Sequence, residues 1–186
     1  MPATRSFPNQ IDNRNFLSPV GFKFSLAKEP KAAFFCNSAR IPEITLSTIT
    51  QSTYLKDIDV PGDKLTYGDL SLKFLVDENM ENYMAIHNWL TGIGFPETTQ
   101  DFRDLVDIED DATQKDNVLQ VFSDGSLYIL NSNYKTTAIV KFKDLFPTTL
   151  TSLEFNATAN DIQYFTAEAS FKYTVYNILG PTGTSL

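Results

Sequence analysis

Apolar residues recur at every second position soon after the chain begins. Phe22, Phe24 and Leu26 alternate with Lys23 and Ser25, which predicts a strand over Gly21–Ala27 with one buried face. Lys28-Glu29-Pro30-Lys31 reads as a turn, and Ala33 to Cys36 as a second strand that completes a hairpin. Pro42 breaks that strand, since it has no N–H for a sheet ladder. From Ile44 to Val60 two β segments are joined by a polar tip around Thr50–Thr53. So little charge guards this hairpin that its edges invite pairing with another chain. After a Pro-Gly-Asp turn at Pro61–Asp63, Leu70, Leu72, Phe74 and Val76 give another strand. The period then changes. Met80, Tyr83, Met84, His87 and Leu90, with Ile86 beside them, fall at helical spacing. Asp77 or Asn79 is placed to cap this helix, Glu78 and Glu81 suit its positive end, and Gly92, Gly94 and Pro96 stop it.

Beyond the helix, Asp124-Gly125 between the apolar runs Val118–Phe122 and Leu127–Leu130 predicts a tight hairpin. Thr136–Phe142 is a strand, Lys143–Thr148 a sharp break, and Leu150–Asn156 and Tyr164–Tyr176 are further strands separated by a turn at Asn160-Asp161. In the last of them Phe165, Ala167, Ala169, Phe171, Tyr173 and Val175 share one face. The fold class expected is mainly β (α+β), a sandwich or barrel of about eight strands with one flanking α-helix. At 186 residues this is one domain. Residues 1–17 form an extended arm, 18–180 the domain, and 181–186 a flexible tail.

Fifteen Phe and eight Tyr support the β reading. A net charge of −8 argues against a protein that grips nucleic acid through its phosphates, yet suits the wall of a conduit that must not retain DNA. Eight carboxylates between Glu97 and Asn117 face only Arg103 and Lys115. A calcium loop beginning at Asp107 would need glycine where Ala112 stands and glutamate where Val118 stands, so this segment reads as a solvated loop or an acidic contact surface. Cys36 is the only cysteine, which excludes an internal disulfide and a cysteine-based zinc site. No stretch has the length of a signal peptide's apolar core or a membrane span, so a soluble protein assembled in a cytoplasm is expected.

Candidate chemistry is thin. His87, the only histidine, lies in the helix stripe near Trp89 and reads as packed or capping rather than as a general base. There is no Gly-rich phosphate loop, and the sequon Asn156-Ala157-Thr158 is incidental without a secretory signal. No catalytic, cofactor or metal site is assigned, so a structural role is expected by elimination.

Two stretches resemble the tail tube proteins of contractile-tailed, T-even-like bacteriophages. One is Ile58-Asp59-Val60-Pro61-Gly62-Asp63 leading into the strand Leu70–Asp77 and the helix with its late Trp89. The other is Lys143-Asp144-Leu145-Phe146-Pro147-Thr148, followed by Leu153 and then Asn160-Asp161-Ile162-Gln163-Tyr164-Phe165, similar to that family's Gly-Leu-(Trp/Phe)-Pro-Thr break and closing Asn-(Glu/Asp)-Ile-Gln-x-Phe strand. Together they span about Ile41 to Tyr176.

The resemblance implies a non-enzymatic virion protein whose hexameric rings stack into a tube, their sheets joined as a continuous inner barrel. Genomic DNA and the tape-measure protein would pass through, with sheath protein outside and a baseplate hub or tube initiator at the start. It also implies subunit contacts at Phe16 and Leu17 of the amino-terminal arm, and at Thr48, Thr50, Tyr54, Ile58, Pro61, Gly62 and Asp63 of the hairpin. Trp89, Leu145, Phe146, Pro147, Ile162, Gln163 and Phe165 are the family positions. The acidic insertion and a longer amino-terminal arm depart from the T-even pattern. The baseplate-proximal tube initiator shares the domain and is similar over Asn82–Trp89, and is the runner-up. A β-sandwich carbohydrate-binding module or hydrolase is the reading from another class.

Overall fold

In a computed structural model of the chain, residues 16–27, 36–94, 121–155 and 164–184 are described. They form β1 (Phe22–Leu26), β2 (Cys36–Ala39), β3 (Ile44–Gln51), β4 (Ile58–Tyr67), β5 (Leu70–Leu75), α1 (Glu81–Gly94), β6 (Ser123–Leu130), β7 (Thr136–Leu150), β8 (Thr166–Lys172) and β9 (Val175–Leu179). β7 organises the rest. Its first part pairs with β6 on one side and β9 on the other, and its last part pairs with β8. One sheet is therefore β1-β6-β7-β9 and the other β7-β8-β5-β2, antiparallel throughout, with β7 crossing between them. A strand that switches sheets needs a corner, and here it lies at Asp144, whose φ is 55°. Opposite it the β6 step from Ser123 to Gly125 spans Leu145 to Phe142 of β7, two residues against three, so an extra β7 residue is bulged there. Tyr173 and Thr174 make the matching break between β8 and β9, where the Thr174 N–H donates to the Lys143 carbonyl at 3.0 Å.

Phe24, Leu26, Leu127, Val140 and Phe142 of one sheet meet Leu70, Leu72, Phe74, Ala167, Ala169 and Phe171 of the other in a single core, closed by Ile86 and Trp89 of α1. Trp89 is 1% exposed; its ring lies 6.2 Å from that of Phe171, and its Nε1–H donates to the Val121 carbonyl at 3.0 Å.

Several local expectations are corrected. β1 and β2 do not pair as a hairpin: β1 pairs with β6 and β2 with β5, and residues 33–35 lie outside the described ones. Asp124-Gly125 is not a turn but lies within β6, where a Cβ on Gly125 would come within 3.2 Å of Leu145 and 3.3 Å of Phe24. Glycine is needed there for close approach, not for chain reversal. The actual reversal is Asn131–Lys135, whose Asn131 Oδ1 accepts the N–H groups of Asn133 and Lys135, with Tyr134 at φ 58°. Lys143–Thr148 bends β7 without ending it, and Pro147 is accommodated because, among the described residues, that end of β7 pairs only with β8, across a register shift. The strand expected over Leu150–Asn156 is absent from Thr151 to Phe155, and Tyr164–Tyr176 is divided into β8 and β9. Phe165 is 37% exposed, outside the buried row Ala167, Ala169 and Phe171. The residues after β9 fold back, with Gly180 N–H donating to the Thr184 carbonyl.

The helix is real but its buried face is rotated. Met84 and His87 are exposed, so His87 is neither packed nor capping, whereas Asn82, Ile86, Trp89 and Gly92 are buried. Asn82 is fully buried because the polar ends of β5 need it: its Nδ2 donates to the Leu75 carbonyl at 2.7 Å and its Oδ1 accepts the Asp77 N–H at 3.3 Å. Neither Asp77 nor Asn79 occupies the cap position. Met80 does, at φ 57°, its carbonyl accepting the first helical bond from Met84. Gly92 does not stop the helix, which runs to Gly94. Among the described residues no helix is long and apolar enough to cross a membrane.

Candidate assembly interface

β3 and β4 stand apart from both sheets as a two-stranded ribbon. The sequence makes this ribbon by interspersing Ile and Leu with Thr and Ser in β3 and alternating Ile58 and Val60 with Asp59 and Pro61 in β4, on either side of the tip Ser52–Asp57. Ser52 Oγ donates to Asp57 Oδ1 at 2.7 Å, Thr53 Oγ1 bonds the Lys56 carbonyl, and Tyr54 and Leu55 stand out fully exposed. A two-stranded ribbon is at best marginal in water on its own. Yet no residue of β3 is buried, and Ile44, Leu46, Ile49, Ile58 and Leu65 are each close to half exposed or more.

Pro61-Gly62-Asp63, expected as a turn, lies inside β4. Leu46 pairs with Leu65 and Thr48 with Pro61, so two steps of β3 oppose four of β4 and the bulge falls on Gly62, Asp63 and Lys64. A Cβ on Gly62 would collide with Ser47, so glycine is required for the strands to approach. The bulge also divides the ribbon's apolar pattern. On its root side the pairs Ile44–Tyr67 and Leu46–Leu65 share one face; on its tip side that face carries Thr48–Pro61 and Thr50–Asp59, while Ile49–Val60 and Gln51–Ile58 occupy the other. Thr50 Oγ1 donates to Asp59 Oδ1 at 3.2 Å across the polar pair.

The ribbon is fastened at its root. Tyr173 Oη donates to the Gly68 carbonyl at 2.9 Å and Tyr176 Oη to the Pro42 carbonyl at 3.1 Å. Burial, with Tyr176, Tyr67 and Asp69 nearby, pushes the Tyr173 hydroxyl up to about 12.

The residues inferred from family resemblance thus separate into two groups. Thr48, Thr50, Tyr54, Ile58, Pro61, Gly62 and Asp63 all lie on the ribbon or its tip, and Phe16 and Leu17 are exposed beside β1, Phe16 at 97%. Trp89, Leu145 and Pro147 are buried, with Phe146 half-buried, and so build the sandwich rather than its surface. Ile162, Gln163 and the acidic segment 97–117 fall outside the described residues. What sequence reasoning missed is the tyrosine root, whose only signal is two tyrosines at the end of an otherwise alternating run.

A two-sheet antiparallel sandwich with one helix and a free-standing apolar ribbon defines the class of β protein. The chain belongs to the phage tail tube protein family, which it matches over residues 6–179. No curated protein sequence matches it. Its fold is similar to that of the anti-feeding prophage cap, which terminates that tube, at 18% identity and a TM-score of 0.63 over 92% of this chain and 96% of the other. It is also similar to a chain of the extended PVC sheath–tube complex, an extracellular contractile injection system, at 17% identity and a TM-score of 0.56 over 90% and 93%. The terminator of the PVC sheath and tube gives 18% identity and a TM-score of 0.57 over 90% and 100%.

Proposed function

We propose that this chain is the inner tube subunit of a contractile phage tail or tail-like particle, acting by self-assembly and without catalysis. Hexameric rings stack through the β3–β4 arm, with the Phe16–Leu17 region as a second contact, around a channel for tape-measure protein and DNA. Sheath protein surrounds the tube, and a baseplate initiator starts it. The proposed boundaries are 1–17 for the docking arm and 18–180 for the ring-forming domain.

The observation that carries this reading is the ribbon of exposed apolar pairs on a tail tube sandwich. Covering such a ribbon with a second copy removes apolar surface from water and pairs its edges. The sheet β1-β6-β7-β9 supports ring closure, because among the described residues no strand covers the outer edge of β1 or β9. On this reading the face turned away from the core lines the channel. It carries Lys23, Lys141 and Asp124 among Ser25, Ser126 and Asn177, with Tyr128, Ile139 and Leu179 in the row beside them, so the wall is mixed polar and apolar and holds little of the chain's acidity.

Negative-stain electron microscopy of the purified protein, alone and with baseplates, tests it. Long hollow tubes support the tube subunit. Single rings that bind baseplates without growing support the initiator in its place, and monomers under both conditions overturn the assembly role. Ile49→Lys with Val60→Lys places charge on the tip-side face and is expected to abolish stacking while the sandwich stays folded.

A further inference from the structure

Both legs of the arm are gripped from one corner of the sandwich. Pro42 lies just before β3 and Gly68 just after β4, and their carbonyls accept the hydroxyls of Tyr176, near the start of β9, and Tyr173, in the break between β8 and β9. The legs are tied to each other there, Gly68 N–H donating to the Glu43 carbonyl at 3.0 Å. Two anchor points still leave rotation about the line joining them. Tyr67, the last residue of β4, removes it: its ring meets that of Tyr173 edge-on at 6.1 Å and that of Tyr176 at 5.6 Å. Phe142 of β7 supports both tyrosines from the core, at 5.1 and 5.6 Å. Every other residue of the arm lies beyond this cluster, and among the described residues no strand of either sheet pairs with it.

We propose that Tyr173 and Tyr176 are positioning residues for assembly: they aim the arm before a second copy arrives, so that docking orders only the tip. This rests on the reading above, that the arm docks on another copy. An arm hinged loosely on Arg40–Glu43 and Gly68–Asp69 would lose that freedom on every addition, and binding weakens by the cost of such ordering. A pre-aimed arm bears that cost during folding. The tyrosines touch no partner in this role. They act through the backbone of the two legs, which is why the carbonyls rather than side chains are held.

The test separates aim from docking. In a Cys36→Ala background, spin labels at Tyr54→Cys on the tip and Lys141→Cys on the β1-β6-β7-β9 sheet report the arm's direction by pulsed electron resonance, below the concentration at which tubes form. The parent is compared with Tyr173→Phe, Tyr176→Phe and the double variant, which keep the rings and lose only the hydroxyls. The expected result is one narrow distance distribution in the parent, broadening in each single variant and most in the double. The melting transition of the sandwich stays cooperative, and the protein concentration for half-maximal polymerisation rises about tenfold. Equal widths in parent and double variant overturn the clamp, as does a broad distribution in the parent. A broadened arm that polymerises like the parent overturns its part in assembly. A parent that forms no tubes even on baseplates removes the tube reading and the assembly half of this proposal with it, while the distance widths still decide whether the tyrosines aim the arm.

Discussion

Asn82 carries more of the fold than any polar residue the sequence pattern singles out. Its amide satisfies the Leu75 carbonyl and the Asp77 N–H where β5 hands over to α1. Asn82→Ala leaves both without partners in a buried site, and about 2–3 kcal/mol of stability should be lost, read by urea denaturation. The helix face was misread for the same reason. Periodicity counts apolar residues, and a buried asparagine at the first turn shifts the apparent stripe toward Met84 and His87.

Cys36 shows the opposite case, a reactive type made quiet. Burial pushes its thiol up to about 11, against the smaller effect of its bond to the Ser38 carbonyl. At pH 8 alkylation by iodoacetamide should therefore run far slower in the folded protein than in urea. Tyr173 behaves in the same direction at higher pH. Its folded value is raised, so its contribution is complete below about pH 10, the usual tyrosine range, and is lost as pH rises through about 12. Ultraviolet titration should show one tyrosine ionising late, with the spread of arm distances widening over the same window.

At the level of elements, strands were legible and their joints were not. Alternation found β1, β5, the first half of β7 and β8, since one face of each meets the core. Glycine, proline and aspartate mark both turns and bulges, and composition does not tell them apart: Pro61-Gly62-Asp63 and Asp124-Gly125 lie inside strands, while the reversal at Asn131 went unread. Pairing order is set by which edges meet in space, so the partners of β1 lie 99 (Leu26 to Gly125) to 107 (Phe22 to Ile129) residues away rather than next in line. The β7 corner is the sharpest instance. Asp144 sits in the left-handed region, so Asp144→Gly should leave stability within about 1 kcal/mol, whereas Asp144→Val should cost about 2 kcal/mol in denaturant unfolding, because a β-branched residue is strained there.

For the whole molecule, family resemblance was legible at two kinds of position: Trp89, Leu145 and Pro147 are buried and build the sandwich, whereas Ile58–Asp63 lie on the exposed ribbon. The arm was legible for a different reason, as a hairpin too apolar and too lightly charged to stand alone in water. Its root and the division of its apolar faces at the bulge needed coordinates. A net charge of −8 on each copy sets a cost on bringing copies together. Raising salt from about 20 to 300 mM screens that repulsion, so tube yield measured by sedimentation should rise; a fall would place attraction between charges, not apolar contact, at the centre of assembly.

The four strands of the β1-β6-β7-β9 sheet run alternately up and down, so its first and last point in opposite directions. Copies set side by side can then continue the alternation across every seam. An odd set would force one parallel seam per copy. Evenness makes closure possible for any number of members, so strand direction places no limit on ring size, and the choice falls to the angle at which each sheet meets the next.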